Sequence, residues 1–405
     1  MKIKNWFLSG SFLFNRKLAI ALWFGLSFIA VMLEIFRSVL NNYLIFKYVY
    51  VHTLQRVNLY LDYPALYEDS NHYGPIFGIV IAPFAILPDK VAVFLWVMAN
   101  TTFLYCAIRK LPILEKYQNA ILILCAHEMM TAASWLQINP LIAGCIIFGF
   151  CFIHENKNVW GLFFILLATF IKIYGIVGFA FFFFSKDKIN FIVWSVIWSV
   201  FFLIAPLLLA PPSFIIQSYK DWYDSLVFKA NKNIYLQGND LQDISVMGML
   251  RRIFKFTWLK DSYIIVPALA AFMGQYLHYK YFSDLRFRLY ILCSVLIFTV
   301  IFSNGSENPT YIIAFPAVCI WYVIQPPSKW ANAVFVFALL LTSFSYSDIF
   351  TPYLRTHFIR PYSLKALPCF VVWLLITGQV YTKQFLKVDL LSGLKTRKIK
   401  ELQVQ

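Results

Sequence analysis

The chain has 405 residues, of which 60% are hydrophobic, 19% aromatic and only 13% charged. Soluble domains carry about 25% charged residues, so this composition excludes a soluble domain with an anchor and indicates a polytopic membrane protein. The net charge of +16 does not indicate nucleic acid, because the Lys and Arg residues sit mainly between apolar runs, where they set membrane orientation.

At the N-terminus, Lys2, Lys4, Arg16 and Lys17 precede an apolar run. No small-residue cleavage site follows it, and 18–36 is long enough to span at about 1.5 Å per residue, so it reads as a retained first helix. Apolar periodicity then predicts about twelve spans in all: 18–36, 90–108, 118–136, 139–154, 158–172, 173–185, 190–210, 262–279, 288–303, 309–325, 330–347 and 364–383. Several are short and are expected to lie deep against neighbours or to be broken helices. The stretch 73–87 is apolar but interrupted by Pro75 and Pro83, and reads as an interfacial or re-entrant helix.

That reading puts both termini inside, where 20 of the 35 Lys and Arg residues then fall. Two long outer loops result, 37–89 and 211–261. They are too aromatic to be disordered, and pieces such as 218–228 suit helices lying at the membrane surface. A binding or catalytic face on the outer side is expected. The seven cysteines all fall in apolar runs with no spacing for zinc or a disulfide framework and read as buried small hydrophobes. His72 forms no ligand spacing with the other histidines, so no metal site is expected. No Walker loop, GxGxxG, HExxH or GxSxG occurs. An energy-rich substrate is therefore expected to arrive through the membrane rather than on a soluble nucleotide domain.

Lys172 lies inside an otherwise apolar stretch. A charge at bilayer depth costs about 2.5–3.5 kcal/mol on insertion scales and marks a site by default. Around it runs a series of short segments: Asn42-Tyr43-Leu44-Ile45-Phe46-Lys47 after the first span, His72-Tyr73-Gly74-Pro75-Ile76-Phe77, then Ile86-Leu87-Pro88. Gln137-Ile138-Asn139-Pro140 and Ile171-Lys172-Ile173-Tyr174 follow, then Gly238-Asn239-Asp240 with Gln242 and Ser245, and finally Ser306-Glu307-Asn308-Pro309-Thr310-Tyr311. In order and spacing these segments resemble glycosyltransferase family 87, multispanning enzymes of the GT-C class.

The resemblance implies an all-α polytopic membrane protein over 1–405, a single GT-C-like bundle of transmembrane helices with juxtamembrane helices on the outer face. It implies transfer of a hexose such as mannose from a polyprenyl-phosphate donor to a lipid or glycan acceptor. The reaction would be inverting and would need no cofactor where a cation serves the phosphate. The setting would be a bacterial plasma membrane, with membrane lipids as partners. The family's general base, an Asp after the first span, falls here on Asn42, and an amide cannot accept a proton at neutral pH.

Glu68 and Asp69 are then the candidate bases, with Asp62 and Glu34 behind them; the competing reading is a solvated acidic turn. Lys172 is a donor-phosphate clamp or a snorkelling lysine. Asn42, His72, Tyr73, Gln137, Asn139, Glu307 and Arg252 are candidate substrate contacts. Turn and cap chemistry equally accounts for Asn139 and Glu307, and lipid headgroups for the Arg251, Arg252, Lys255 and Lys260 run. Tyr73 and Trp222 are candidates to stack on sugar faces, and Glu307 to pair with Lys172 or Arg252. Two other functions fit the same sequence: a flippase or transporter of lipid-linked sugars, and a catalytically inactive family member.

Overall fold

The computed structural model describes residues 11–235, 241–256 and 258–388. Gly238, Asn239, Asp240, Lys2, Lys4 and the basic residues from Lys395 onward lie outside the described residues. All regular elements among those described are helical. In chain order they are α1 (Arg16–Arg37), α2 (Asn41–Gln55), α3 (Phe77–Ala85), α4 (Asp89–Lys110), α5 (Glu115–Ser134), α6 (Asn139–His154) and α7 (Asn158–Ile171). A 3-10 run (Ile173–Phe184) precedes α8 (Lys188–Ile204) and α9 (Pro212–Tyr235). Then come α10 (Val246–Phe254), α11 (Ser262–Gly274), α12 (Leu285–Ile301), α13 (Tyr311–Ile324), α14 (Lys329–Ala338), α15 (Pro352–Leu354) and α16 (Ala366–Tyr381).

Among the described residues, three helical segments are long and apolar enough to cross a membrane: Arg16–Arg37, Asp89–Lys110 and Lys188–Leu208. Six shorter apolar ones accompany them, among them Asn139–His154 and Asn158–Ile171. The described residues are thus all-helical, with apolar helices that suit a membrane protein. The stretch 73–87 condenses to the nine residues of α3 with Pro83 inside. At about 1.5 Å per residue it covers less than half of a hydrocarbon core about 30 Å thick. Of the two segments expected as outer loops, 37–89 contains α2 and α3, and 211–261 contains α9 and α10. The segment 173–185, expected as a span of its own, winds as a 3-10 helix rather than an α-helix.

The chain forms two compact, sequence-interleaved units: Met1–Trp23, Ile108–Glu128 and Gly238–Gln405 make one, Phe24–Ala107 and Met129–Gln237 the other. In the second unit α6 and α7 pack closely because both carry glycine at the contact. A Cβ on Gly149 would meet Ile165 Cγ1 at 2.6 Å, and one on Gly161 would meet Ile153 Cγ1 at 2.7 Å. Small residues allow such approach where lipid gives no hydrophobic incentive to pack. In the first unit α12 and α13 are apolar all round and buried along nearly their whole length, as expected of helices at the centre of a bundle.

Candidate functional site

The site of the second unit is built on a helix break. α7 ends at Ile171, and Lys172 is extended (φ −144°, ψ 120°) before the 3-10 run begins. The chain after the break lies directly on the end of α7: a Cβ on Gly175 would meet Thr169 N at 2.3 Å. The carbonyls released by the break are used. Ile171 O accepts the amide of Gly74 at 3.0 Å. A Cβ on Gly74 would meet Phe170 O at 2.0 Å, so only glycine lets the His72-Tyr73-Gly74-Pro75 segment dock here.

This docking brings segments far apart in sequence together. Lys172 Nζ donates to Asn139 Oδ1 at 3.1 Å and sits 4.6 Å from the Tyr174 ring centre. Asn139 is buried at the start of α6, whose N-cap position is Ile138; no side chain caps it. Tyr73 packs edge-on against Phe46, 5.2 Å between ring centres, and its hydroxyl lies 3.5 Å from Gln137 Oε1. The turn carrying Gln137 is pinned from below by Trp96, whose indole N–H donates to Leu136 O at 3.0 Å.

The next residue, His72, is fixed from α9. Trp222 donates its indole N–H to His72 O at 3.0 Å, and His72 Nδ1 lies 2.6 Å from Ser225 Oγ. Ser225 donates to Asn71 O at 3.2 Å, and Asn71 Oδ1 accepts Tyr73 N–H at 2.9 Å, an Asx turn that sets the loop. Burial pushes the His72 imidazole down to about 3. Lys229 pushes the same way, Asp69 opposes, and Lys232 and Lys172 add to the depression. His72 is therefore neutral at physiological pH.

The asparagines after the first span act as braces. Asn41 brackets the backbone of Glu68, donating to its carbonyl at 2.9 Å and accepting its amide at 2.7 Å. Asn42 donates to Trp135 O at 2.8 Å. An ionised aspartate at 42 would set an acceptor against that carbonyl, so the amide suits the geometry that it occupies. Glu68 and Asp69 are both exposed, with Asp69 in the left-handed region at φ 71°. The partial burial expected of a carboxylate tuned as a base is not present at either side chain.

Glu307 and Arg252 belong to the first unit. Glu307 Oε1 accepts from Gln242 Nε2 at 3.0 Å, and its amide donates to Thr310 Oγ1 at 3.1 Å, closing a short 3-10 turn ahead of α13. Arg252 clasps the loop before α10 through Gln242 O at 2.7 Å, with Ser363 Oγ as a further acceptor. Its neighbour Arg251 bridges Asp243 and Asp261, each at 2.6 Å, and Asn304 donates to the second oxygen of Asp261. The basic run that reads in sequence as a headgroup patch thus has its two arginines in intramolecular bonds.

Sequence reasoning missed a fully buried ion pair in the same unit. Lys365 Nζ lies 3.0 Å from Glu128 Oε1 with both side chains 0% exposed, and donates to Asn308 Oδ1 at 2.7 Å. The signal was available: Glu128 interrupts the apolar run 118–136 as Lys172 interrupts its own. Among the described residues no group of three or more His, Cys, Asp and Glu side chains gathers as a metal site.

The sequence model of glycosyltransferase family 87 matches residues 71–303. No curated protein and no solved structure matches the chain. The matched range opens on the Asn71-His72-Tyr73-Gly74-Pro75 segment and contains Gln137, Asn139, Lys172, Trp222 and Arg252; Asn42, Glu68, Asp69 and Glu307 fall outside it. A match over more than half of the sequence, centred on the segments that the helix break assembles, makes this chain a member of glycosyltransferase family 87.

Proposed function

We propose that the protein transfers a hexose, such as mannose, from a polyprenyl-phosphate donor to a lipid or glycan acceptor on the outer face of a bacterial plasma membrane. The bundle would cross about twelve times with both termini inside. The observation that carries the reading is the helix break at Lys172. It holds an ammonium group on Asn139 at 3.1 Å beside the docked loop of His72 and Tyr73.

In this reading the acceptor hydroxyl oxygen attacks the anomeric carbon as the bond from that carbon to the phosphate oxygen breaks. The bonding pair leaves on the phosphate, and the configuration inverts. Lys172 stabilises the charge that develops there, the kind of fixed electrostatic assistance that dominates many active sites. The acceptor's proton goes to a first-loop carboxylate, Asp69 or Glu68. Asp69 is favoured because its charge reaches His72. Tyr73, Gln137 and Trp222 line the approach.

The test is transfer from radiolabelled polyprenyl-phosphate mannose by the purified protein in lipid. Lys172→Met is expected to lower transfer by about a hundredfold with normal membrane levels, and Asp69→Asn to lower it further than Glu68→Gln. Full transfer by Lys172→Met sinks the clamp. Donor binding without transfer in the wild type would favour the inactive-member reading, which the structural use of Asn42 as a brace also supports.

A further inference from the structure

The leaving phosphate changes charge during the reaction just described. In the donor it is a diester with a charge of about −1; once the sugar has left it is a monoester of about −1.5 to −2 at pH 7. A site that favours bond cleavage should therefore offer more positive charge than the bound donor alone needs.

The surface of α9 facing the His72 loop supplies such a charge. Trp222 and Ser225 are three residues apart and both bond to His72. Lys229 lies four residues beyond Ser225 and Lys232 three beyond that, so all four share one helix face. Lys229 is half-buried and Lys232 exposed. The hydrogen-bond directions at His72 are set by Ser225. Its one hydroxyl proton goes to Asn71 O, so it accepts the Nδ1–H of His72, and Nε2 is left as an acceptor 3.4 Å from Ser70 Oγ. His72 adds no charge, while Lys229, Lys232 and Lys172 all bear on it electrostatically.

We propose that Lys229 is a second cation of the phosphate site begun by Lys172, reserved for the charge that appears on the phosphate as the sugar leaves. This rests on the polyprenyl-phosphate reading above. Lys172, from the break after α7, serves the diester; Lys229, from α9, is used fully only by the monoester product and the transition state that resembles it. His72, bonded from α9 by Trp222 and Ser225, is the residue on which both charges act.

The experiment measures binding to the full chain in nanodiscs. The probes are undecaprenyl phosphate, a monoester, and polyprenyl-phosphate mannose, a diester; phosphatidic acid serves as a competing monoester lipid. Lys229→Met is expected to weaken undecaprenyl phosphate binding about tenfold or more, the worth of one charge-assisted contact, and polyprenyl-phosphate mannose less than about threefold. Lys172→Met weakens both, Lys232→Met changes either by less than about twofold, and Lys229→Arg keeps wild-type affinity and reports intact folding. In transfer assays Lys229→Met lowers kcat with little change in KM.

Equal weakening of the two probes by Lys229→Met, or no weakening of either while Lys172→Met weakens both, overturns the proposal and leaves the Lys172 clamp standing. Phosphatidic acid displacing undecaprenyl phosphate at equal concentration assigns the lysines to a bulk headgroup and overturns it as well. A wild-type protein that is folded but binds neither polyprenyl probe removes the functional reading, and this inference with it.

Discussion

Lys365 and Lys172 are both lysines within or beside apolar sequence, and the fold treats them in opposite ways. Lys365 is sealed: it is 0% exposed and paired with a carboxylate that is equally enclosed. Lys172 stands at a helix break, half-buried, with its ammonium group on an amide oxygen. The first arrangement is a scaffold, because no ligand reaches the charge without dismantling the pair. The second keeps the charge where a ligand can meet it. A charged residue in apolar sequence thus marks a site only when the backbone also opens there.

The sharpest way to break this comparison is to remove one member of the sealed pair. Glu128→Leu or Lys365→Met is expected to destabilise the protein by about 3–5 kcal/mol, since each leaves an uncompensated buried charge. The double variant is expected to recover most of that loss in thermal unfolding. Lys172→Met, by contrast, is expected to shift stability within about 0.5 kcal/mol while abolishing most transfer. A Lys172→Met protein as unstable as Lys365→Met would erase the distinction.

The docking of the loop onto the break comes next in size. Gly74→Ala places a Cβ against the carbonyl of Phe170 and is expected to cost about 1–3 kcal/mol, read as a lowered unfolding midpoint together with weaker donor binding. The pH dependence of His72 is smaller per pH unit. Its native pKa of about 3 lies below the ordinary value near 6.5, so the unfolded chain takes up a proton that the native one refuses. The stability that it contributes is complete above about pH 6.5 and is lost as the pH falls toward about 3, with a slope of at most about 1.4 kcal/mol per pH unit. His72→Asn is expected to flatten that slope. The smallest effect belongs to Asn42→Asp, expected to cost about 1 kcal/mol through its lost bond to Trp135 O. Faster transfer by that variant would instead show that the position still serves as a base.

Much of the second unit's site was legible before any coordinates. His72, Tyr73, Gln137, Asn139 and Lys172 stand out by residue type and order, and the structure gathers them around one break. The carboxylates were less legible. Glu68 and Asp69 follow an exposed turn held by Asn41, and exposure is a tertiary property. Ser225 and Lys229 were not legible at all, because a serine and a lysine on an amphipathic helix look the same whether they face water or a loop 150 residues away in sequence.

The sequence by itself determined the class of molecule, the positions of its apolar helices to within a few residues, and the family. The class and the helices follow from composition and periodicity, which act locally along the chain; the family follows from the order of short motifs and the match over residues 71–303. Only the tertiary structure decided that the segment after Lys172 winds as a 3-10 helix, that Asn42 braces Trp135, and that Lys365 is matched by Glu128. Each of these depends on which distant backbone or side-chain group fills the space opposite, and local sequence does not carry that information.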